Sequence, residues 1–143
     1  HGVVHRDVKA ENVLLALPED EVPLDDGKAV VKLCDFGLSA RCWASEGNKL
    51  RDPVGSPDYV APEVARQEAY GQSVDIWSCG VLLFVCLRGR SPFPARTDHE
   101  ALVLVKEGKV TYDKGWEHVS PEARACTEHM LKLTPSERPT AQK

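Results

Sequence analysis

At 143 residues, with 42% hydrophobic and 28% charged side chains, the chain has the length and composition of one soluble globular domain. Its net charge of −4 gives no reason to expect nucleic acid or an anionic membrane as partner. The five cysteines (Cys34, Cys42, Cys79, Cys86 and Cys126) are scattered without a CxxC pair, so neither a zinc site nor a disulfide framework is suggested, and a reducing, cytoplasmic setting is expected.

In chain order, Gly2 to His5 form a short β-type run that leads into His5-Arg6-Asp7-Val8-Lys9-Ala10-Glu11-Asn12. A second β-type run is expected over residues 12–17, with Val13, Leu14, Leu15 and Leu17 apolar. Residues 18–28 (PEDEVPLDDGK) break the pattern, with five acids and two prolines in eleven positions and a turn signal at Asp26-Gly27. The acid spacing is wrong for a calcium loop, which leaves an exposed hairpin insertion or a docking site. Residues 29–34 form the returning strand and deliver Asp35. Residues 38–59 are polar and irregular. A helix is expected over residues 74–87, apolar nearly all round and therefore buried in a core. Its longest apolar run, residues 81–87, is far short of the roughly 20 residues that cross a bilayer, and no signal peptide is visible. Thr97 and Glu100 form a capping box for a helix that runs to about Lys106, with Gly108 as terminator. Ser120-Pro121 opens a last helix, on which Ala123, Cys126, Met130 and Leu133 define the apolar face; Met130 there reads as core filler. With three Trp, three Tyr and three Phe, the core is expected to be mostly aliphatic.

The chemistry is concentrated in three motifs. In the first, Asp7 can accept a hydroxyl proton and sits two residues before Lys9 and five before Asn12. Asp35-Phe36-Gly37 and Ala61-Pro62-Glu63 follow in that order. Phosphoryl transfer asks for positioning and charge neutralisation more than covalent chemistry, and these residue types suit it. Asp7 is the candidate base and Lys9 can neutralise charge on the transferring group. Asn12 and Asp35 offer hard oxygens suited to Mg²⁺. On these motifs the chain resembles the eukaryotic protein kinase family, over nearly its whole length.

The resemblance implies an α+β fold: a kinase C-terminal lobe, mainly α-helical with short β-hairpins at the cleft, as one partial domain over residues 1–143 from the catalytic loop onward. It implies a Ser/Thr kinase that transfers the γ-phosphoryl group of ATP, with Mg²⁺, to a protein hydroxyl. Catalytic roles fall on Asp7, Lys9 and Ser56, and nucleotide contacts on Lys9, Glu11, Asn12, Leu14, Cys34 and Asp35. Asn12 and Asp35 are the implied metal ligands. Leu14 would lie under the adenine. Cys34 would face the nucleotide or, equally, be a small strand residue. Lys9 is the Ser/Thr-type residue at its position. Glu11 goes with relatives that select basic peptides, whereas Val85 stands where strongly arginine-directed relatives often place an acid. By the same resemblance His5 braces the loop, Asp75 anchors its backbone, and Glu63 pairs with Arg138.

Residues 116–143 are similar to the calcium/calmodulin-dependent group, which includes the AMP-activated kinases, and residues 50–57 to the activation segment of the latter. Asp52 occupies the place of their phosphorylatable threonine. It is either a partial phosphate mimic held by Arg6 and neighbouring basic side chains or an ordinary loop acid; a carboxylate carries less charge and fewer acceptor oxygens than a phosphate. Ser39 and Ser45 are further phosphosite candidates. The Gly-rich loop, the strand lysine and its glutamate partner, all N-terminal-lobe features, do not occur in this sequence. With Met130 as its only methionine, the chain reads as a fragment that needs that lobe in cis, inactive alone and poorly soluble. The alternative reading is a pseudokinase or a truncated kinase-like binding module.

Overall fold

The computed structural model describes residues 2–16, 30–43 and 49–142. Leu17, the acidic segment 18–28 and Ser45 lie outside the described residues. Two short antiparallel strand pairs frame the N-terminal part. Val3–Val4 (β1) pairs with Ala40–Arg41 (β4), Val3 opposite Arg41. Val13–Ala16 (β2) pairs with Val30–Leu33 (β3), in a register that runs from Val13–Leu33 to Ala16–Val30. Asn12 belongs to a tight turn, Ala10–Asn12, and not to the strand expected to include it. The stretch expected to be irregular throughout contributes β4, and Leu50 forms an isolated bridge with Tyr70. Backbone pairing with distant partners overrides the polar composition there.

Four helices follow among the described residues: Pro62–Ala65 (α1), Ser73–Arg88 (α2), Asp98–Glu107 (α3) and Pro121–Met130 (α4). Their ends obey local chemistry. The Thr97 hydroxyl accepts the Glu100 amide at 3.2 Å, as a capping box requires. The Glu100 carboxylate, however, reaches back to the Arg96 amide at 2.8 Å, one residue beyond the usual partner. Ser120 caps α4 through the Ala123 amide. Gly89 and Gly108 close α2 and α3 in the left-handed region, at φ 67° and 61°.

The core is aliphatic by number, chiefly valine, yet its largest members are aromatic. Trp77 stacks on Phe93 at 5.7 Å, and Phe84 meets Trp116 edge-on at 5.1 Å. Two expectations are corrected. First, α2 is not buried all round: Val74, Trp77, Val81 and Phe84 are buried, whereas Ile76, Leu82, Leu83 and Val85 are only half-buried. The described residues pack one flank of α2, chiefly through α4, and leave the other partly open. The α2–α4 approach is close because Gly80 carries no side chain; a Cβ there would come within 2.7 Å of the Met130 Cβ. Second, the predicted apolar face of α4 is displaced. Cys126 is exposed, Leu133 lies beyond the helix end, and the buried residue is Thr127. Thr127 tolerates that position because its hydroxyl donates to the Ala123 carbonyl at 2.8 Å, so no polar group is left unpaired.

Candidate active site

The loop between β1 and β2 is held from below by one carboxylate. Asp75, near the start of α2, accepts the His5 amide at 2.7 Å and the Arg6 amide at 2.9 Å. Burial pushes the Asp75 carboxyl up from its ordinary range, against the pull of these two amides. His5 is buried and fixes the loop from its other side. Its Nδ1 accepts the Asp7 amide at 3.3 Å, which assigns the proton to Nε2, 2.9 Å from the Cys34 carbonyl. Its ring meets Phe36 edge-on at 4.8 Å. The imidazole thus ties the Asp7 loop to the Asp35-Phe36-Gly37 loop.

These restraints present Asp7 to a dense set of donors. One carboxylate oxygen accepts the Ser56 hydroxyl at 2.8 Å and the Ser56 amide at 3.1 Å. The other lies 2.9 Å from the Lys9 ammonium and 3.2 Å from the Asn12 amide nitrogen. Lys9 also donates to the Ser56 hydroxyl at 2.9 Å, which closes a three-membered polar ring. Burial pushes the Asp7 carboxyl up, but Lys9 and Ser56 outweigh it and hold the group below the usual carboxylate range. Lys9 is raised above its ordinary value, first by its hydrogen bond to Asp7, with Glu11 and Asp35 adding attraction. Gly55 makes the approach possible: it sits at φ 110°, and a Cβ there would come within 2.6 Å of the Arg6 carbonyl.

Asn12 also donates to the Asp7 carbonyl at 2.8 Å, which leaves its own side-chain oxygen as the metal-suited atom. Asp35 sits at φ 59° and accepts the Gly37 amide at 3.2 Å, so its carboxylate is fixed by its own loop. Among the described residues no cluster of three or more His, Cys, Asp or Glu forms a metal cage. Two hard protein oxygens do fit Mg²⁺, which retains waters and binds through substrate phosphates. Leu14 on β2 is 53% exposed and stands opposite Lys32, while the Cys34 amide bonds the Asn12 carbonyl at 2.9 Å. The structure therefore brings Asp7, Lys9, Asn12 and Ser56 into direct contact. Glu11 and Asp35 act on Lys9 through their charge, and Leu14 and Cys34 lie on the adjoining hairpin.

A second cluster lies behind the loop. Arg6, at φ 71°, reaches Asp52 at 3.0 Å, the Tyr70 hydroxyl at 3.2 Å and the Leu38 carbonyl at 2.5 Å. Tyr70 in turn donates to the Asp52 carbonyl at 2.7 Å. Among the described residues Arg6 is the only basic side chain that reaches Asp52. Tyr70 was not singled out from the sequence; its partners lie 18 and 64 positions away, and no motif marks it.

The protein kinase domain family matches residues 1–143. Calcium-dependent protein kinase 9 of Oryza sativa subsp. japonica is 41% identical over 143 residues, covering 99% of this chain and 23% of that protein. The calcium/calmodulin-dependent protein kinase type II alpha chain of Drosophila melanogaster is 40% identical over 142 residues, covering 99% of this chain and 25% of that protein. The type II kinase of Caenorhabditis elegans is 39% identical over 142 residues, covering 99% of this chain and 18% of that protein. The chain thus spans about a quarter or less of the length of these curated relatives, and they fall in the group to which the resemblance pointed. With the motifs, the Asp7 loop tied to the Asp35-Phe36-Gly37 loop through His5, and a family match over residues 1–143, the chain belongs to the protein kinase domain family.

Proposed function

We propose that residues 1–143 are the catalytic-loop-onward part of a Ser/Thr protein kinase, and that Asp7 is its base. The observation that carries this reading is the ring of Asp7, Lys9 and Ser56, with contacts of 2.8–2.9 Å. When bound, ATP with Mg²⁺ supplies the activated γ-phosphoryl group. Asp7 orients the substrate hydroxyl and receives its proton as the oxygen attacks. Lys9 keeps a positive charge beside the reacting oxygens, and Ser56 holds both side chains in register. Asn12 and Asp35 would hold the metal. The binding-module alternative gives no reason for this ring, since a scaffold needs no ionised carboxylate poised between an ammonium and a hydroxyl. A cytoplasmic setting and an N-terminal lobe supplied in cis belong to the same proposal.

The test uses the full-length polypeptide that carries these residues, with radiolabelled ATP and serine, threonine and tyrosine peptides. Label is expected on serine or threonine peptides with Mg²⁺ and is expected to vanish on chelation. Soluble, folded protein that labels none of them would overturn the enzyme reading in favour of the binding module.

We further propose that Asp52 holds the activation segment to the catalytic loop through Arg6, in place of a phosphate. Its side chain is 70% exposed, so the contact contributes at most about 1 kcal/mol to stability. Asp52→Asn keeps an acceptor and removes the charge. Peptide phosphorylation is expected to fall by up to about fivefold, the rate equivalent of that energy, with the melting midpoint lowered by no more than about a few degrees. Wild-type rates in the variant would make Asp52 an ordinary loop acid.

A further inference from the structure

Of the three tryptophans, Trp77 and Trp116 are buried, whereas Trp43 is 38% exposed. Its indole nevertheless has a fixed seat. A Cβ added to Gly2 would lie 2.5–2.7 Å from Cδ2, Cε3 and Cε2 of the Trp43 ring. Two of these are the ring-fusion carbons, so the Gly2 backbone rests against the face of the indole. Gly2 allows this twice over: it carries no side chain, and it sits in the left-handed region at φ 64°. Next to the ring, the Cys42 amide donates to the Gly2 carbonyl at 2.7 Å, and the Gln72 side chain donates to the Cys42 carbonyl at 3.0 Å. The β1–β4 ladder that these contacts extend is only two residues long. So short a pair is marginal by itself, and an aromatic ring over its end adds apolar contact area.

The same ladder is one end of the metal loop. At the other end, the Cys34 amide donates to the Asn12 carbonyl at 2.9 Å, and the Cys34 carbonyl accepts from His5 at 2.9 Å. Residues 35–39 are thus a five-residue span held at both ends, with Asp35 as its first member. The span has little slack. The Ser39 amide and hydroxyl both donate to the Phe36 carbonyl, at 3.0 and 2.7 Å, and the Leu38 carbonyl accepts from Arg6. A shift of β4 away from β1 is therefore passed along the span to Asp35.

We infer that Trp43 is a positioning residue for the metal loop: stacked on Gly2, it keeps β4 on β1 and so keeps Asp35 where it and Asn12 can share one divalent cation. The inference rests on the kinase reading above. Trp43 acts through the backbone of residues 35–39, as an outer contact that orients a metal ligand. It was not singled out from the sequence, where residues 38–59 read as polar and irregular, because its partner lies 41 positions earlier.

The experiment uses the full-length polypeptide, a non-hydrolysable ATP analogue, and Mn²⁺ as a paramagnetic probe of the oxygen ligands. Free Mn²⁺ is read by electron paramagnetic resonance, which needs no turnover, and circular dichroism follows the fold. Trp43→Ala is expected to weaken nucleotide-dependent Mn²⁺ binding by about tenfold, the lower end for loss of an outer contact, with the fold retained. Trp43→Phe keeps a flat ring and should restore most of the affinity. Gly2→Ala drives a methyl into the indole, so it should weaken binding in the wild type and clearly less in a Trp43→Ala background. Unchanged Mn²⁺ affinity in Trp43→Ala, or a Gly2→Ala effect that is the same with and without the indole, would overturn the inference. Loss of the folded state in Trp43→Ala would make the residue merely structural and overturn it as well. A wild type that binds no Mn²⁺ with the nucleotide would overturn the kinase reading, and this inference with it.

Discussion

Asp7→Asn is expected to lower kcat by about 10²- to 10⁴-fold, the usual contribution of a positioned general base. The substitution is nearly isosteric. Its side-chain oxygen can still accept the Ser56 hydroxyl and amide, which bond the Asp7 carboxylate at 2.8 and 3.1 Å. What disappears is the negative charge that faces Lys9 at 2.9 Å, the acceptor for the Asn12 amide at 3.2 Å and the capacity to take a proton. Lys9 keeps its hydrogen bond to Ser56 and is partly exposed, so water can solvate the rest of its ammonium, and the fold loses about 1–3 kcal/mol, chiefly from the Asn12 donor left unpaired. Rate and stability should therefore separate. Steady-state kinetics beside a thermal melt read both, and a variant within threefold of wild-type kcat would remove Asp7 from the base role. The pH dependence follows from the same contacts. The folded Asp7 carboxyl lies below its ordinary value, so its pairing with Lys9 is fully formed above the unfolded value of about 3.9. That stabilisation is lost as pH falls through the still lower folded value. Lys9 is shifted the other way, and its contribution is lost only as pH rises through its raised folded value. Between pH 5 and 9, roughly, neither group changes charge, so a limb in the rate profile there belongs to another group.

Much of this site is legible in the linear chain because its members are close in sequence. Asp7, Lys9 and Asn12 lie within six residues, and their spacing alone places them on one loop. The helix caps at Thr97 and Ser120 are likewise local, each a hydrogen bond spanning three residues. What escaped the sequence reading depends on partners far away. β4 exists because β1 lies beside it, and Tyr70 matters because Arg6 and Asp52 converge on it. On α4, apolar periodicity favoured Cys126, yet Thr127 is the residue that is fully buried. Hydropathy ranks a threonine low because it counts the hydroxyl as unpaired, and a carbonyl one turn back removes that penalty. The half-open flank of α2 has a related cause: composition reports that a helix can be buried on all sides, not which neighbours are there to bury it.

Arg138→Leu is expected to cost about 3–5 kcal/mol of stability, the loss typical of breaking a buried pair from one side. The Arg138 side chain is fully buried and Glu63 nearly so, at 0% and 4% exposure. All five guanidinium protons have partners. Two go to the Glu63 carboxylate at 2.7 and 2.8 Å, and three go to the carbonyls of Ser73, Lys132 and Leu133 at 2.8–3.2 Å. The guanidinium also lies 5.0 Å from the centre of the Trp77 ring. One side chain thus joins α1, the start of α2 and the chain after α4. Leucine fills much of the space and leaves a buried carboxylate and the Lys132 and Leu133 carbonyls without the Arg138 donor, while the Ser73 carbonyl keeps its place in the α2 ladder. Arg138→Lys should fare little better, since an ammonium has three protons and no planar fork to match the carboxylate. Glu63→Leu combined with Arg138→Leu removes the buried charge and should recover part of the loss. Recovery should stay incomplete, because the Lys132 and Leu133 carbonyls still lack the Arg138 donor. Denaturant unfolding of the full-length polypeptide measures all four proteins. A single Arg138→Leu variant within 1 kcal/mol of wild type, roughly the scale of an exposed pair, would mean that the pair does not hold these elements together. Full recovery in the double variant would mean that the carbonyl contacts contribute nothing.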